Sequence, residues 1–467
     1  MDHAVAISEG GVAAASAITH ELAAHIAQAQ YSTLPAAAIN AAKAFMLDTL
    51  AVAWAGSNAP GCGGAREVML DAGGKPESTV WAYGDRLPVT ATAFLNSMFG
   101  AALDFDSLGR DSPAHVNIVV LPAALAMAER QHASGRDFIA ALSIGCDLML
   151  RLGASCEALG KTQKGWFYTS VHGVFGAAAA SAKLAGLDAP AIQHALGIAF
   201  SQAAGTQQAN VEPSLAKRMQ SAFAARAGVF SALLAEKGIT APAAVVEGDF
   251  GLYRMYQDGD RARLFDALGT RFENGNLSIK KFPSCGCNHT AIEGALRLTH
   301  THDFKADDVD AIEVEISPFM DRLVGGVFDP AGDAQVAAQF NIRYSIACAL
   351  MRRQFGLAEL DPLVVRDAAI GRLVQKGKVS VDPNNTGKRG PMVLRIRTCA
   401  GAELQTRIEH VPGSAETPMS DEEITLKARQ CFALGVRPLS PAQCRTILDR
   451  VLQLEDVADM ATLFHGV

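Results

Sequence analysis

Apolar residues recur at helical spacing through the first three-fifths of the chain. "TLPAAAINAAKAFMLDTLAVAWAG" (33–56) carries them three and four apart behind an opening proline, which predicts one long helix. "VLPAALAMAERQHASG" (120–135) is expected to enter its helix through Pro122 and to stop near Gly135. "FIAALSIGCDLMLRLG", "SVHGVFGAAAASAKLAGL", "APAIQHALGIAFSQAAG" and "SLAKRMQSAFAARAGVFSALLAEKG" continue the pattern as far as Gly238. Their inner faces are small: Gly173, Gly176, Ala177 to Ala180, Ala199, Ala203 and Ala204. Helices with such faces pack at the short end of the usual range of about 8–10 Å between axes. The pattern predicts a compact helical bundle.

After about residue 300 the period changes. "VDAIEVEISP" and "GKVSVDP" alternate apolar with polar as strands do, and "MVLRIRTCAGAELQTRIEHV" reads as two strands joined around Ala400-Gly401. "NIRYSIACALMRRQFG" and "DPLVVRDAAIGRLVQKG" read as helices between them. Helical spacing returns at "SDEEITLKARQCFALG", where Ser420 and Glu423 fit a capping box. The expectation is a mainly α protein. A large, discontinuous, all-helical domain takes residues 1–275 and 411–467, and a smaller α+β lid takes 276–410. The stretch "IKKFPSCGCNHTAIEGAL" (279–296) then lies near the crossing between domains, a common place for a ligand cleft.

Composition narrows the function classes. The chain is 49% hydrophobic and 19% charged, with a net charge of −7 and both signs interspersed, so it offers no basic face for nucleic acid. The opening "MDHAVAISEGG" lacks the basic start and apolar run of a secretory signal, and "AAAASAKLAGL" is too short to span a bilayer. Nine scattered cysteines suit a reducing compartment better than a disulfide framework. These features predict a cytoplasmic protein without nucleic-acid or membrane partners.

Four places carry candidate chemistry. Cys285, Cys287 and His289 follow a C-x-C-x-H spacing with no second ligand pair nearby, unlike structural zinc sites or C-x-x-C redox sites; no metal is expected there. "DFDSLGRDSPAH" (104–115) gathers Asp104, Asp106, Asp111 and His115 in one loop, where an aspartate can fix the tautomer of the imidazole; a merely solvated loop fits the composition equally well. Lys217 and Arg218 fall in the first turn of a helix that Ser214 would cap, where the macrodipole disfavours cations and a bound anion would relieve the conflict. Lys280 sits just before Pro283, which forces Ser284 to be extended. Taken alone, each lysine also reads as an ordinary surface residue.

In combination these segments resemble the MmgE/PrpD family, which includes 2-methylcitrate dehydratase, cis-aconitate decarboxylase and iminodisuccinate epimerase. The matching stretches keep their order: "LDFDS…AH…VLPAALAMAE", "GW…VHGVFGAAAASAKLAGLD…ALGIAFSQAAG", "AKRMQSAFAARAGVFSALLAEKGITAP", "VVEGDFGLY" and "KKFPSCGCNHTAIEGAL". The resemblance implies a homodimer that binds a small di- or tricarboxylate and needs no metal or organic cofactor. It makes His115 the principal acid/base and Asp104 its partner. Lys217 and Lys280 become carboxylate anchors, and His289 a second polar contact. Cys285 and Tyr344 are placed among the substrate-lining residues.

This chain departs from the family pattern at several positions. Phe167 stands where many members have histidine, and His115 is followed by Val116 instead of proline. Leu108 replaces a hydroxyl residue of the decarboxylase-like members, and Ser345 aligns with the family tyrosine, leaving Tyr344 one place early. A phenyl ring at 167 can neither donate nor accept a proton; His172, one turn on, is either a substitute or a packing residue. Three readings therefore stand. The first is a lyase of the 2-methylcitrate dehydratase kind, with cis-aconitate-type decarboxylation as a variant. The second is an epimerase or isomerase of a dicarboxylate such as iminodisuccinate. The third is a catalytically silent, ligand-binding homodimer.

Overall fold

The computed structural model describes residues 17–109, 114–157, 165–212 and 214–467. The chain is mainly α and divides into two compact units: residues up to Leu277 together with Glu422–Val467, and Ser278–Asp421. The sequence had suggested divisions at 275/276 and 410/411.

In the first unit the longer helices are α1 (Ala17–Gln28), α2 (Ala36–Gly56), α3 (Cys62–Ala72), α4 (Val89–Ala101), α5 (Asn117–Gln131), α6 (Gly135–Glu157), α7 (Tyr168–Leu184), α8 (Ala189–Phe200) and α9 (Ala216–Glu236). A short antiparallel ladder pairs Ser78–Thr79 with Arg86–Leu87. Helix α9 lies along α7 and α4, and α7 lies along α6. The glycines permit this: a Cβ on Gly145 would stand 2.6 Å from the Gly176 carbonyl oxygen, and one on Gly228 would stand 2.4 Å from the Ala177 Cβ. Helix α5 starts at Asn117, so Pro122 falls inside it and does not open it. Val119 and Val120 both bond the Val116 carbonyl, and that first turn forms before the proline is reached. By length and composition α2 and α6 could each cross a membrane, yet 61% and 100% of their apolar windows are buried within the fold, the setting of core helices.

The end of the chain returns to this unit as α13 (Asp421–Phe432) and α14 (Pro441–Leu452). Trp54 of α2 donates its indole N–H to the Arg437 carbonyl at 2.7 Å and meets Phe432 edge-on. Lys43 pairs with Glu455 at 2.6 Å. The guanidinium of Arg151, fully buried, is satisfied by Asp147 and by the carbonyls of Leu264, Asp266 and Arg271.

The second unit is built on a four-stranded sheet of β1 (Val309–Ile316), β2 (Gly377–Val381), β3 (Met392–Thr398) and β4 (Glu403–Ile408), in the order β2-β1-β3-β4. The β1–β2 pair is parallel and the other two are antiparallel. Along β1, Ile312, Val314 and Ile316 face the core while Glu313 and Glu315 do not, the period-2 pattern of a half-buried strand. Helix α10 (His289–Thr301) covers β3 and β4, and α11 (Ile342–Arg352) packs between α10 and α12 (Ala368–Gln375). The single helix expected over 361–377 is interrupted: a short turn at Pro362–Val365 ends, and Asp367 caps a new start by accepting from the Ala369 and Ile370 N–H groups.

Candidate active site

The loop after α4 carries Asp104, Phe105 and Asp106, and the chain then reaches His115 two residues before α5 begins. Asp104 has φ +51°, in the left-handed region that aspartate tolerates better than most residues. His115 Nδ1 lies 2.7 Å from Asp106 Oδ2, and its backbone N–H donates to Thr169 Oγ1 on the first turn of α7. Asn117 donates to Ser107 Oγ at 2.8 Å and staples the loop to the start of α5. Asp106 is buried, and the His115 side chain retains 18% exposure.

A carboxylate acceptor at Nδ1 fixes the imidazole tautomer and leaves Nε2 as the nitrogen that serves a substrate. Sequence reasoning had given this role to Asp104. Asp104 also lies close, its carboxylate within 4.8 Å of the ligand atoms of Asp106 and His115, and it pairs with Lys217, Nζ 3.2 Å from Oδ1. Lys217 is indeed in the first turn of α9, but Ser214 is not the cap; Leu215 precedes the helix and supplies no side-chain bond. The anion expected near that helix start comes from the protein itself, as Asp104. Asp111 lies outside the described residues.

Asp104, Asp106 and His115 present ligand atoms within 4.8 Å of one another, a donor set that could also hold a cation. The ammonium of Lys217 already places positive charge against Asp104. Phe167 immediately precedes α7, two residues before Thr169, and is buried. His172 is not a replacement acid: burial lowers its pKa to about 3, and it stacks on Tyr168 with ring centroids 4.9 Å apart.

In the second unit, Lys280 is buried, and His289 opens α10 with Nε2 3.2 Å from the Ser284 carbonyl and Phe282 edge-on to its ring. Asn288 donates to Ser284 Oγ and to the Gln339 carbonyl, which holds the turn after Pro283. Cys285 is half-buried; its hydrogen bond to the Cys287 thiol, followed by burial, pushes the Cys287 pKa well above the usual range. Cys287 Sγ also donates to the Lys388 carbonyl at 3.3 Å. Tyr344 was expected among the substrate contacts. It is fully buried in the core of this unit, stacked on Phe328, with its hydroxyl donated to the Glu359 carbonyl.

The family model for the MmgE/PrpD N-terminal domain matches residues 20–264, and that for the C-terminal domain matches residues 282–454. The chain belongs to the MmgE/PrpD family. Its relatives include the cis-aconitate decarboxylase-like protein oryM of Aspergillus oryzae, 28% identical over 96% of each chain. The cis-aconitate decarboxylase of Aspergillus terreus is 26% identical over 97% of this chain and 96% of its own. That of Mus musculus is 25% identical over 92% and 89%. Within this MmgE/PrpD chain, Asp106 was named in the acidic loop but not chosen as the partner of His115, and Thr169, which reads as an ordinary residue at a helix start, was missed.

Proposed function

We propose that this protein is a lyase acting on a small tricarboxylate of the cis-aconitate type. The observation that carries the reading is the pair of contacts Asp106–His115 and Asp104–Lys217, held by one loop. Full-length similarity to cis-aconitate decarboxylases supports it. Lys217 is the proposed anchor for one substrate carboxylate, a charge-assisted contact worth roughly 1.5–3 kcal/mol. Lys280 and His289 are proposed as the second unit's contacts to the same class of ligand.

In the decarboxylation, the C–C bond to one carboxyl group breaks and carbon dioxide leaves. The bonding pair is delocalised toward a neighbouring carboxylate, and the proton on His115 Nε2 ends on the substrate carbon. Asp106 compensates the charge that the imidazolium carries before transfer. Leu108 favours a second lyase reading, dehydration of a 2-methylcitrate-type acid, because it stands where the decarboxylase-like members carry a hydroxyl residue.

The test incubates the purified protein with cis-aconitate, citrate and 2-methylcitrate and follows each by proton NMR and carbon dioxide release. Consumption of one acid is expected. His115→Ala should reduce kcat by roughly 10²–10⁴-fold, as for loss of a general acid. Lys217→Ala should reduce kcat/KM by roughly 10–100-fold. If all three acids survive unchanged, the reading fails. Carbon dioxide release separates decarboxylation from dehydration.

A further inference from the structure

Lys427 of α13 is buried, although a lysine rarely is. Its Nζ lies 2.6 Å from Asp48 Oδ1 on α2 and donates to the Phe105 carbonyl at 2.9 Å. The same ammonium stands 3.8 Å from the centroid of the Phe105 ring. Phe105 is the residue between Asp104 and Asp106. We propose that Lys427, anchored on Asp48, is a positioning residue that holds the aspartate loop in the conformation that aims Asp106 at His115.

The argument runs through the peptide plane. The Phe105 carbonyl and the Asp106 nitrogen belong to one planar unit, so fixing the direction of that carbonyl fixes how the chain enters Asp106. On the other side, Asp104 sits at φ +51°, a conformation the loop keeps only if its surroundings hold it. Lys427 supplies that hold twice, through the carbonyl and through the ring face. Asp48, itself buried, keeps the lysine in place and balances its charge. A bare structural ion pair would need neither contact to Phe105. The kinetic part of this proposal rests on the lyase reading; the conformational part does not.

The experiment uses the full chain with Asp48→Leu and Lys427→Met combined, so that neither charge is left buried alone. Thermal unfolding establishes that the variant is folded. Diethyl pyrocarbonate labelling, read peptide by peptide by mass spectrometry, then measures His115 reactivity, with the more exposed His132 as the internal reference. His115 is expected to label several-fold faster once Asp106 is released, with His132 unchanged. With a substrate in hand, kcat is expected to fall roughly 10–100-fold while KM stays within about twofold. An unchanged His115 labelling rate in the folded variant overturns the proposal, whatever the kinetics. Faster labelling in a protein whose parent consumes none of the acids sinks the lyase reading and leaves the clamp standing. Should the double variant not fold, Asp48→Asn with Lys427→Met replaces it; that pair removes the ammonium and its bond to the Phe105 carbonyl and keeps a polar side chain at 48. Faster His115 labelling is again expected, and an unchanged rate again overturns the proposal.

Discussion

Replacing Gly145 with alanine sets two effects of opposite sign against each other. Gly145 lies within α6, where alanine gains about 1 kcal/mol of helix propensity over glycine. The new Cβ would stand 2.6 Å from the Gly176 carbonyl oxygen, 2.8 Å from Val120 Cγ1 and 2.9 Å from Ala180 Cβ, against 3.4 Å for the start of ordinary contact. Two of those neighbours belong to α7, where a Cβ added at Gly176 would in turn stand 2.7 Å from the Gly145 carbonyl oxygen. No flexible side-chain end is available to yield to the carbonyl clash, so the helices must separate. Overpacking of this kind costs about 1–3 kcal/mol, at times more, and a close backbone clash belongs at the upper end. The expected net is a loss of about 2 kcal/mol. Gly371→Ala is the control: it lies inside α12 with nothing within 4 Å of its would-be Cβ, and should gain about 0.5–1 kcal/mol. Urea unfolding followed by far-UV circular dichroism measures both, Gly145 reporting on the helical unit and Gly371 on the α+β unit. A Gly145→Ala protein as stable as wild type would refute the close-packing argument.

Burial pushes the Glu129 carboxyl up to about 7 from its ordinary 4.5, despite hydrogen bonds from Thr79. The native state therefore holds this proton more tightly than the unfolded chain, and the group's contribution to stability falls as pH rises from about 4.5 through 7; relative to wild type, Glu129→Gln should gain about 2 kcal/mol between pH 5 and pH 8, and a gap independent of pH would exclude the mechanism. Tyr344→Phe should cost about 1–2 kcal/mol in thermal unfolding, from the unpaired Glu359 carbonyl, and leave KM as it was. A raised KM without loss of stability would return Tyr344 to the substrate contacts.

The helices and the small faces between them were legible because spacing and side-chain volume are local properties of the sequence. Ile312, Val314 and Ile316 were legible for the same reason, since alternation alone assigns them to one face of β1. The candidate site was legible only as a set of residues. Asp104 and Asp106 differ by two positions, and the spacing alone does not say which of them makes the 2.7 Å contact with His115, since the loop between them and the histidine follows no regular period. Lys427 meets Phe105 across 322 positions, and a lysine in a helix with five charged residues among twelve carries no local mark of burial. Tyr344 lies one place out of register with the family tyrosine; the core that takes it up, against Phe328 and Phe355, comes from segments on both sides of it.

The contacts Lys43–Glu455, Trp54–Arg437 and Asp48–Lys427 join segments that leave the ribosome far apart in time. The whole of Ser278–Asp421 is synthesised between them, roughly 10–30 s at ordinary elongation rates. During that interval α2 carries an apolar face that Phe432 has yet to cover, and Asp48 lacks its ammonium partner. The early helices thus wait as an incomplete bundle, a natural client for chaperones that shield apolar surface. A chain cut short just after Asp421 would have its second unit complete and its first unit still lacking α13 and α14.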